Sequence, residues 1–181
     1  MVQRASYLQK GFTIVELLVV IVVIAILAAI AIVSYNGITQ QAYSAKAAST
    51  VDAYVNLIEM YQVTEGHYPA TTGPVCLGTA ANYPAENGFG AGECTIPAST
   101  VNDDFNNLLL QYTSQIPSAD LPPVTYESLT MRGPTYVGDS EGGLILYMIK
   151  GNVTCPKGKK VEPVPGVTGC GVILGTYESD E

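Results

Sequence analysis

The sequence lacks most of the residues from which catalytic and metal sites are built. It has no tryptophan and one histidine, His67, and none of its four cysteines stands in a CxxC pair. No Ser or Cys arrangement around His67 supplies a second member for a catalytic triad, and no histidine stands at metal-ligand spacing. We therefore expect a protein that is not an enzyme and that carries no cofactor or metal.

Basic residues are also scarce. Eight Lys and Arg stand against sixteen Asp and Glu, which gives a net charge of −8. An acidic surface repels phosphate backbones, so the composition argues against broad nucleic-acid binding by a single subunit. Lys157, Lys159 and Lys160 form a local basic patch, a pattern more typical of a solvated loop tip.

Charge is missing altogether from one long stretch. Residues 17–33 contain no charged or hydrogen-bonding side chain, and within residues 12–33 only Thr13 and Glu16 are polar. As a helix rising about 1.5 Å per residue, residues 12–33 extend about 33 Å, close to the roughly 30 Å hydrocarbon core of a bilayer. This stretch predicts a membrane span.

Glu16 is the exception within that span. A carboxylate at this depth costs about 2.5 to 3.5 kcal/mol on insertion scales, so it needs a partner. A cut between Gly11 and Phe12 would create one, because the new α-amino group of Phe12 is a cation four residues away. The amine could meet Glu16 of its own chain or of a neighbouring subunit, and the second arrangement would drive ordered self-association.

The segment Gly11-Phe12-Thr13-Ile14-Val15-Glu16-Leu17-Leu18 resembles the class III leader and first helical turns of type IV pilins and pseudopilins. The resemblance implies that prepilin peptidase cuts after Gly11 and methylates the amine of Phe12. It also implies that Glu16 acts in assembly at an inner-membrane platform, with identical or related subunits as partners.

Two positions depart from the family pattern. Many members have Gly and Pro within the span, where this chain has Ala25 and Val33. The nearest candidate hinge is therefore Gly37. The resemblance further implies a C-terminal loop bounded by a disulfide and facing the filament surface.

An ordinary secretory signal is the alternative interpretation, with a small-x-small cut site at Ala29-Ile30-Ala31. The apolar stretch is longer than the usual 7 to 15 residues of such signals, and Glu16 is hard to explain in one. The two hypotheses differ in the mature chain. A class III cut leaves a membrane-bound chain beginning at Phe12, and a signal-peptidase cut releases a soluble chain beginning near Ile32.

The charges flanking the span predict its orientation. Arg4 and Lys10 precede it, and basic residues stay in the cytoplasm, so the bulk of the chain is expected outside the cytoplasmic membrane. The predicted organisation is a removed leader (residues 1–11), a membrane and filament-core helix (12–33), its amphipathic continuation (34–66) and an extracytoplasmic globular domain (67–181). After assembly the resemblance places the chain in an extracellular filament.

The cysteines favour disulfides in such an exported domain. Four cysteines permit three pairings, and we favour Cys76 with Cys94 and Cys155 with Cys170 because each closes a local loop. Closing a loop of about 15 residues is worth on the order of 3 kcal/mol in the chain-entropy model.

The pattern after the span predicts an α+β fold: a long N-terminal helix packed on a small antiparallel sheet, with disulfide-bounded loops. One apolar face recurs at spacings of three and four along the helix, which Gly66 and Pro69 should end. Its members are Ala47, Val51, Tyr54, Val55, Ile58 and Tyr61.

Weaker signals follow the long helix. An irregular loop is predicted over residues 68–100 and a short helix over 103–113, with Asn102 as its N-cap. The predicted strands are residues 124–131, 135–137, 144–149 and 172–177, and the segment between Cys155 and Cys170 is predicted to be a loop.

The remaining candidate sites have plainer interpretations. We interpret His67 as a turn or packing residue, Asp103-Asp104 as helix-start residues and Asp139-Ser140-Glu141-Gly142 as a turn rather than a calcium loop. Asn152-Val153-Thr154 fits the glycosylation acceptor pattern. Residues 178–181 form an acidic end that we expect to be solvated.

The sequence thus favours a structural subunit of a type IV pilus-like filament serving motility, adhesion or DNA uptake. A pseudopilin of a type II secretion or competence system is the nearest alternative. An anchored adhesin or binding domain that never polymerises is the alternative from another class.

Overall fold

The computed structural model describes residues 11–177, and for residues 33–36 and 162–164 it gives the course of the backbone alone. The leader charges Arg4 and Lys10 and the acidic end at 178–181 lie outside the described residues. The chain forms two compact units, one ending at Thr39 and one beginning at Gln40. Helix α1, Ile14–Glu65, runs from the first unit into the second and stays helical through Gly37.

The second half of α1 has the predicted buried face and the predicted end. All six apolar residues of that face are buried, and Tyr54 and Ile58 are fully inaccessible to solvent. Gly66 ends the helix with φ at 81°, and its N–H donates to the carbonyl of Gln62 at 2.8 Å. A left-handed residue after the last turn is where glycine is favoured over residues with a Cβ.

Five antiparallel strands form the main sheet, in the order β1-β5-β6-β8-β7. The central strand buries Ile145, Tyr147 and Ile149 in the same core as the apolar face of α1. The α+β layout predicted from the sequence is thereby confirmed. The strands are β1 Val75–Cys76, β5 Thr135–Gly138, β6 Gly142–Lys150, β7 Lys159–Val164 and β8 Val167–Gly175.

A smaller sheet has the order β2-β4-β3, formed by Thr95–Ile96, Leu129–Met131 and Val124–Tyr126. The prediction of one strand over residues 124–131 is wrong, because the chain reverses within it. Glu127 adopts φ of 50°, and Tyr126 then pairs with Leu129 in a tight hairpin.

The prediction of a loop between Cys155 and Cys170 is also wrong, because this segment contains β7 and the start of β8. Gly169 and Gly171 weaken the strand signal of β8. A Cβ on Gly171 would lie 2.8 Å from Cγ2 of Val161, so a larger residue there would require the exposed Val161 side chain to move.

The short helix α2 spans Asp103–Leu109 and ends before the predicted residue 113. Its predicted cap is confirmed, because Oδ1 of Asn102 accepts the N–H of Phe105 at 3.0 Å. The disulfides join Cys76 to Cys94 and Cys155 to Cys170, the pairing favoured from the sequence.

Buried phenol groups hold the irregular segments to the core. Each donates a hydrogen bond to a backbone carbonyl of a loop. The pairs are Tyr54 with Pro117 at 2.7 Å, Tyr83 with Leu77 at 2.6 Å and with Ala119 at 3.1 Å, Tyr136 with Pro69 at 2.9 Å, and Tyr147 with Lys157 at 2.5 Å.

A buried arginine fixes the loop that ends at Cys94. Arg132 is 2% exposed, and its guanidinium donates to the carbonyls of Glu93 at 2.9 Å and Gly90 at 3.3 Å. It also lies 4.3 Å from the centre of the Phe89 ring and 3.4 Å from a carboxylate oxygen of Glu86. The loop is thus anchored by one cation with several partners.

Candidate processing and assembly site

The start of α1 is closed by a reciprocal cap between Thr13 and Glu16. One carboxylate oxygen of Glu16 accepts the backbone N–H and the hydroxyl of Thr13, each at 2.8 Å. In return, Oγ1 of Thr13 accepts the backbone N–H of Glu16 at 3.2 Å. This is the capping-box arrangement, in which two backbone donors without helical partners are satisfied by side chains.

The cap gives Glu16 partners inside its own helix. The sequence pointed to the α-amino group of Phe12 as the partner, and the pairing of that amine with Glu16 stays a prediction. Thr13 was missed, although Ser or Thr three residues before Glu at the start of an apolar run is the usual signal for this cap. The cap offsets part of the cost of placing the carboxylate in an apolar environment.

The peptide bond predicted to be cut lies just before this cap. Gly11 and Phe12 precede the first helical residue, Ile14, and both are exposed, with Phe12 81% accessible. A peptidase must bind an extended backbone, which a residue inside a helix cannot supply without unwinding. The structure therefore leaves the bond between Gly11 and Phe12 outside the helix.

The apolar part of α1 is exposed to solvent. Every residue from 11 to 32 is exposed, including Ile14, Leu17 and Ile24. Among the residues described, α1 is the one helix long and apolar enough to cross a membrane. An exposed apolar surface of this length needs lipid or other apolar helices around it. Together with the N-terminal motif, it anchors the chain in a membrane before assembly.

The histidine and the other acidic candidates lie where structural roles explain them. His67 packs edge-on against Tyr61 at 5.6 Å, and Oδ1 of Asp139 accepts the N–H groups of Glu141 and Gly142 at 2.7 and 3.0 Å. Asp103 lies in the first turn of α2. No cluster of three or more potential metal ligands occurs among residues 11–177.

Two of the three lysines in the predicted basic patch contact different parts of the fold. Nζ of Lys157 lies 2.7 Å from a carboxylate oxygen of Asp52 on α1, and this hydrogen bond raises the pKa of Lys157. Lys160 donates to Oδ1 of Asn152 at 2.9 Å. Lys157 thus ties the segment after Cys155 to the helix and does not present a free charge.

Known proteins carry the same N-terminal features. Residues 7–32 match the family model described as the prokaryotic N-terminal methylation motif. The resemblance to type IV pilins and pseudopilins is confirmed. The match covers Gly11, Phe12 and Glu16, the pilin-like residues from which the processing and assembly roles were inferred.

Two relatives extend this pilin-like match. Type II secretion system core protein G of Escherichia coli (strain K12) is 36% identical over 91 residues, which is 46% of this chain and 63% of that protein. The protein of the same name from Pectobacterium carotovorum subsp. carotovorum is 31% identical over 91 residues, 46% of this chain and 58% of that protein. The chain thus spans about three fifths of the length of these relatives. No solved structure matches it.

Proposed function

We propose that this protein is a structural subunit of a type IV pilin-like filament, polymerised through α1 after removal of the leader. One observation carries the proposal: the methylation motif opens a helix whose apolar side chains are exposed from Ile14 to Ile32. Helices of neighbouring copies can cover that surface once the chain leaves the lipid. The role needs no catalytic residue.

The proposal includes the processing and the location of the chain. Prepilin peptidase cuts between Gly11 and Phe12, the amine of Phe12 is methylated, and the cytoplasmic leader is removed. The globular unit lies outside the cytoplasmic membrane, where two disulfides are stable. In the filament, Glu16 of one copy pairs with the amine of a neighbouring copy.

A pseudopilin is the second candidate, and a specific observation favours it. Both relatives described above carry the name type II secretion system core protein G. A pseudopilus and a surface pilus use the same subunit chemistry and differ in length and location. Filaments sheared from the outer cell surface would favour the pilus, and filaments recovered only from broken envelopes would favour the pseudopilus.

The exchange Glu16→Gln tests the proposal. It removes the charge and keeps a hydrogen-bond acceptor for the cap with Thr13, so insertion into the membrane should be unchanged. Filament yield should fall at least tenfold, because a charge pair in an apolar site is lost. Yield is measured as subunit sedimenting with sheared filaments, relative to subunit in carbonate-washed membranes.

Thr13→Val is the matched control, because it removes the hydroxyl of the cap and keeps the carboxylate. It should assemble at close to the normal level. Normal filament yield for Glu16→Gln would refute the charge pairing, and a loss confined to Thr13→Val would assign Glu16 a capping role. The mass of filament subunits gives the second readout, with methylated Phe12 expected at the N-terminus. A soluble monomer beginning near Ile32 would overturn the proposal.

A further inference from the structure

The central strand β6 carries charges of opposite sign at its two ends. Glu141 directly precedes the strand and Lys150 is its last residue, and both are exposed. At about 3.4 Å per residue, the nine residues of β6 place these ends about 27 Å apart. The globular unit therefore has an electrostatic polarity along this strand.

The charge at the positive end is not neutralised by an ion pair among the described residues. Three other basic side chains do form ion pairs within the subunit: Lys46 with Asp120, Lys157 with Asp52 and Arg132 with Glu86. Within residues 11–177, Lys150 has no such partner. Lys160 adds to this end, because its ammonium group reaches Asn152, two residues beyond Lys150.

The negative end is built on the turn between β5 and β6. Asp139 folds the turn by accepting the N–H groups of Glu141 and Gly142. The carbonyl of Ser140 accepts the N–H of Tyr68 at 3.1 Å, which brings the chain following α1 to the same end. The carboxylate of Glu141 has no ion-pair partner in the described part of the chain.

The second half of α1 runs between the same two ends as the strand, in the opposite direction. The side-chain amide of Gln40 donates to the carbonyl of Lys150, so this part of the helix begins at the positive end. Its last residue is Glu65, and the connection through Tyr68 leads to the negative end. Copies whose helices point the same way along an assembly therefore present opposite charges to one another.

We infer that the Lys150 end of one copy docks against the Glu141 end of the next copy along the filament. The inference rests on the proposed function, since it names the contact between globular units that polymerisation through α1 would bring together. The contact is heterologous, so it can repeat without closing into a ring. Charge complementarity of this kind selects the register and the direction of association.

Charge reversal tests the contact. Lys150→Glu and Glu141→Lys each place like charges together, and each should lower the yield of sedimentable filaments about tenfold. In the chain that carries both exchanges, each copy has a negative charge at position 150 and a positive charge at position 141. Opposite charges therefore meet again at every contact between neighbouring copies. Its yield should return to within about twofold of the unaltered chain.

Lys159→Glu is the control for the change in net charge. Lys159 is exposed on the edge strand β7, level with Leu146 in the middle of β6, and makes no ion pair among the described residues. It should assemble normally. Near-ultraviolet circular dichroism of the full chain in detergent should give all variants the same melting temperature, within about 2 °C.

The outcomes separate the two proposals. Normal filament yield in both single variants, or failure of the double variant to recover while its melting temperature is unchanged, would overturn the docking contact and leave the proposed function standing. Absence of filaments from the unaltered chain would overturn the proposed function and this inference with it.

Discussion

At the scale of single residues, Arg132 connects several parts of the fold that are distant in sequence. Its backbone N–H donates to the carbonyl of Cys94 at 2.9 Å, and its guanidinium donates to the carbonyls of Glu93 and Gly90. The rings of Phe89 and Tyr83 lie against the same group. The arginine replaces regular secondary structure as the support of this loop.

We predict that Arg132→Met lowers the free energy of unfolding by about 2 to 4 kcal/mol, because buried carbonyls lose a charged donor. Arg132→Lys should lose about half as much, since an ammonium group keeps the charge but cannot reach two carbonyls in the fixed geometry of a guanidinium. Urea unfolding of the full chain in detergent, followed by the tyrosine circular dichroism signal, measures both.

Glu86→Gln is the control for the ion pair. The carboxylate of Glu86 is about half exposed and lies 3.4 Å from the guanidinium, so its loss should cost less than about 1 kcal/mol. A larger loss for Glu86→Gln than for Arg132→Lys would show that the ion pair, and not the carbonyl contacts, holds the loop.

Single residues were predictable where their partners are close in sequence. The cap of α2 by Asn102 and the glycine end of α1 follow from local spacing, and both were found. The cap of Glu16 by Thr13 has an equally local signal and was overlooked in favour of charge pairing. Arg132 could not be predicted, because its carbonyl partners lie about forty residues away and carry no side-chain signature.

At the scale of elements, the two disulfides support different structures. Cys155 and Cys170 join the start of the segment containing β7 to strand β8 and lie 15 positions apart in sequence. Cys76 and Cys94 are separated by 18 residues, and both are fully buried in the main core. Cys170 is fully buried in the same core, whereas Cys155 is partly exposed.

We predict that replacing Cys155 and Cys170 with Ser lowers the free energy of unfolding by about 3 kcal/mol, through the entropy of the opened loop. Replacing Cys76 and Cys94 should cost more, because both new hydroxyl groups are then fully buried, whereas only position 170 is fully buried in the other variant. Urea midpoints under non-reducing conditions compare the two variants. Equal losses would contradict the role assigned to burial of Cys76 and Cys94.

Elements were predictable when their apolar pattern was long or alternating. Helix α1 and strand β6 have such patterns and were found at nearly the expected positions. Strand β7 was missed because its sequence is basic and proline-containing. The second half of β8 lies within the predicted strand 172–177, and its first half was missed because Gly169 and Gly171 replace side chains on one face. The hairpin at Glu127 was missed because a left-handed residue other than glycine or asparagine gives little signal.

At the scale of the whole molecule, the buried phenol groups link stability to alkaline pH. Burial away from water raises the pKa of Tyr54, Tyr83 and Tyr136 far above the ordinary value of a tyrosine. In the unfolded chain these groups lose their protons near pH 10. The unfolded state then binds fewer protons than the folded state, so stability falls as pH rises above that value.

We predict that the urea midpoint of the full chain is lower at about pH 11 than at neutral pH, and that phenolate absorbance rises together with unfolding. Tyr83→Phe should be less stable at neutral pH, because the carbonyls of Leu77 and Ala119 lose their donor. It should also lose less stability between the two pH values. An equal loss in both proteins would contradict the contribution of Tyr83.

Because both disulfides are complete, no cysteine in the chain is free to react with a thiol reagent. A cysteine introduced at an exposed position such as Ile173 on β8 would therefore be the one site that a maleimide dye can modify. Labelling before and after polymerisation would map, one position at a time, which faces of the subunit become inaccessible in the assembled fibre.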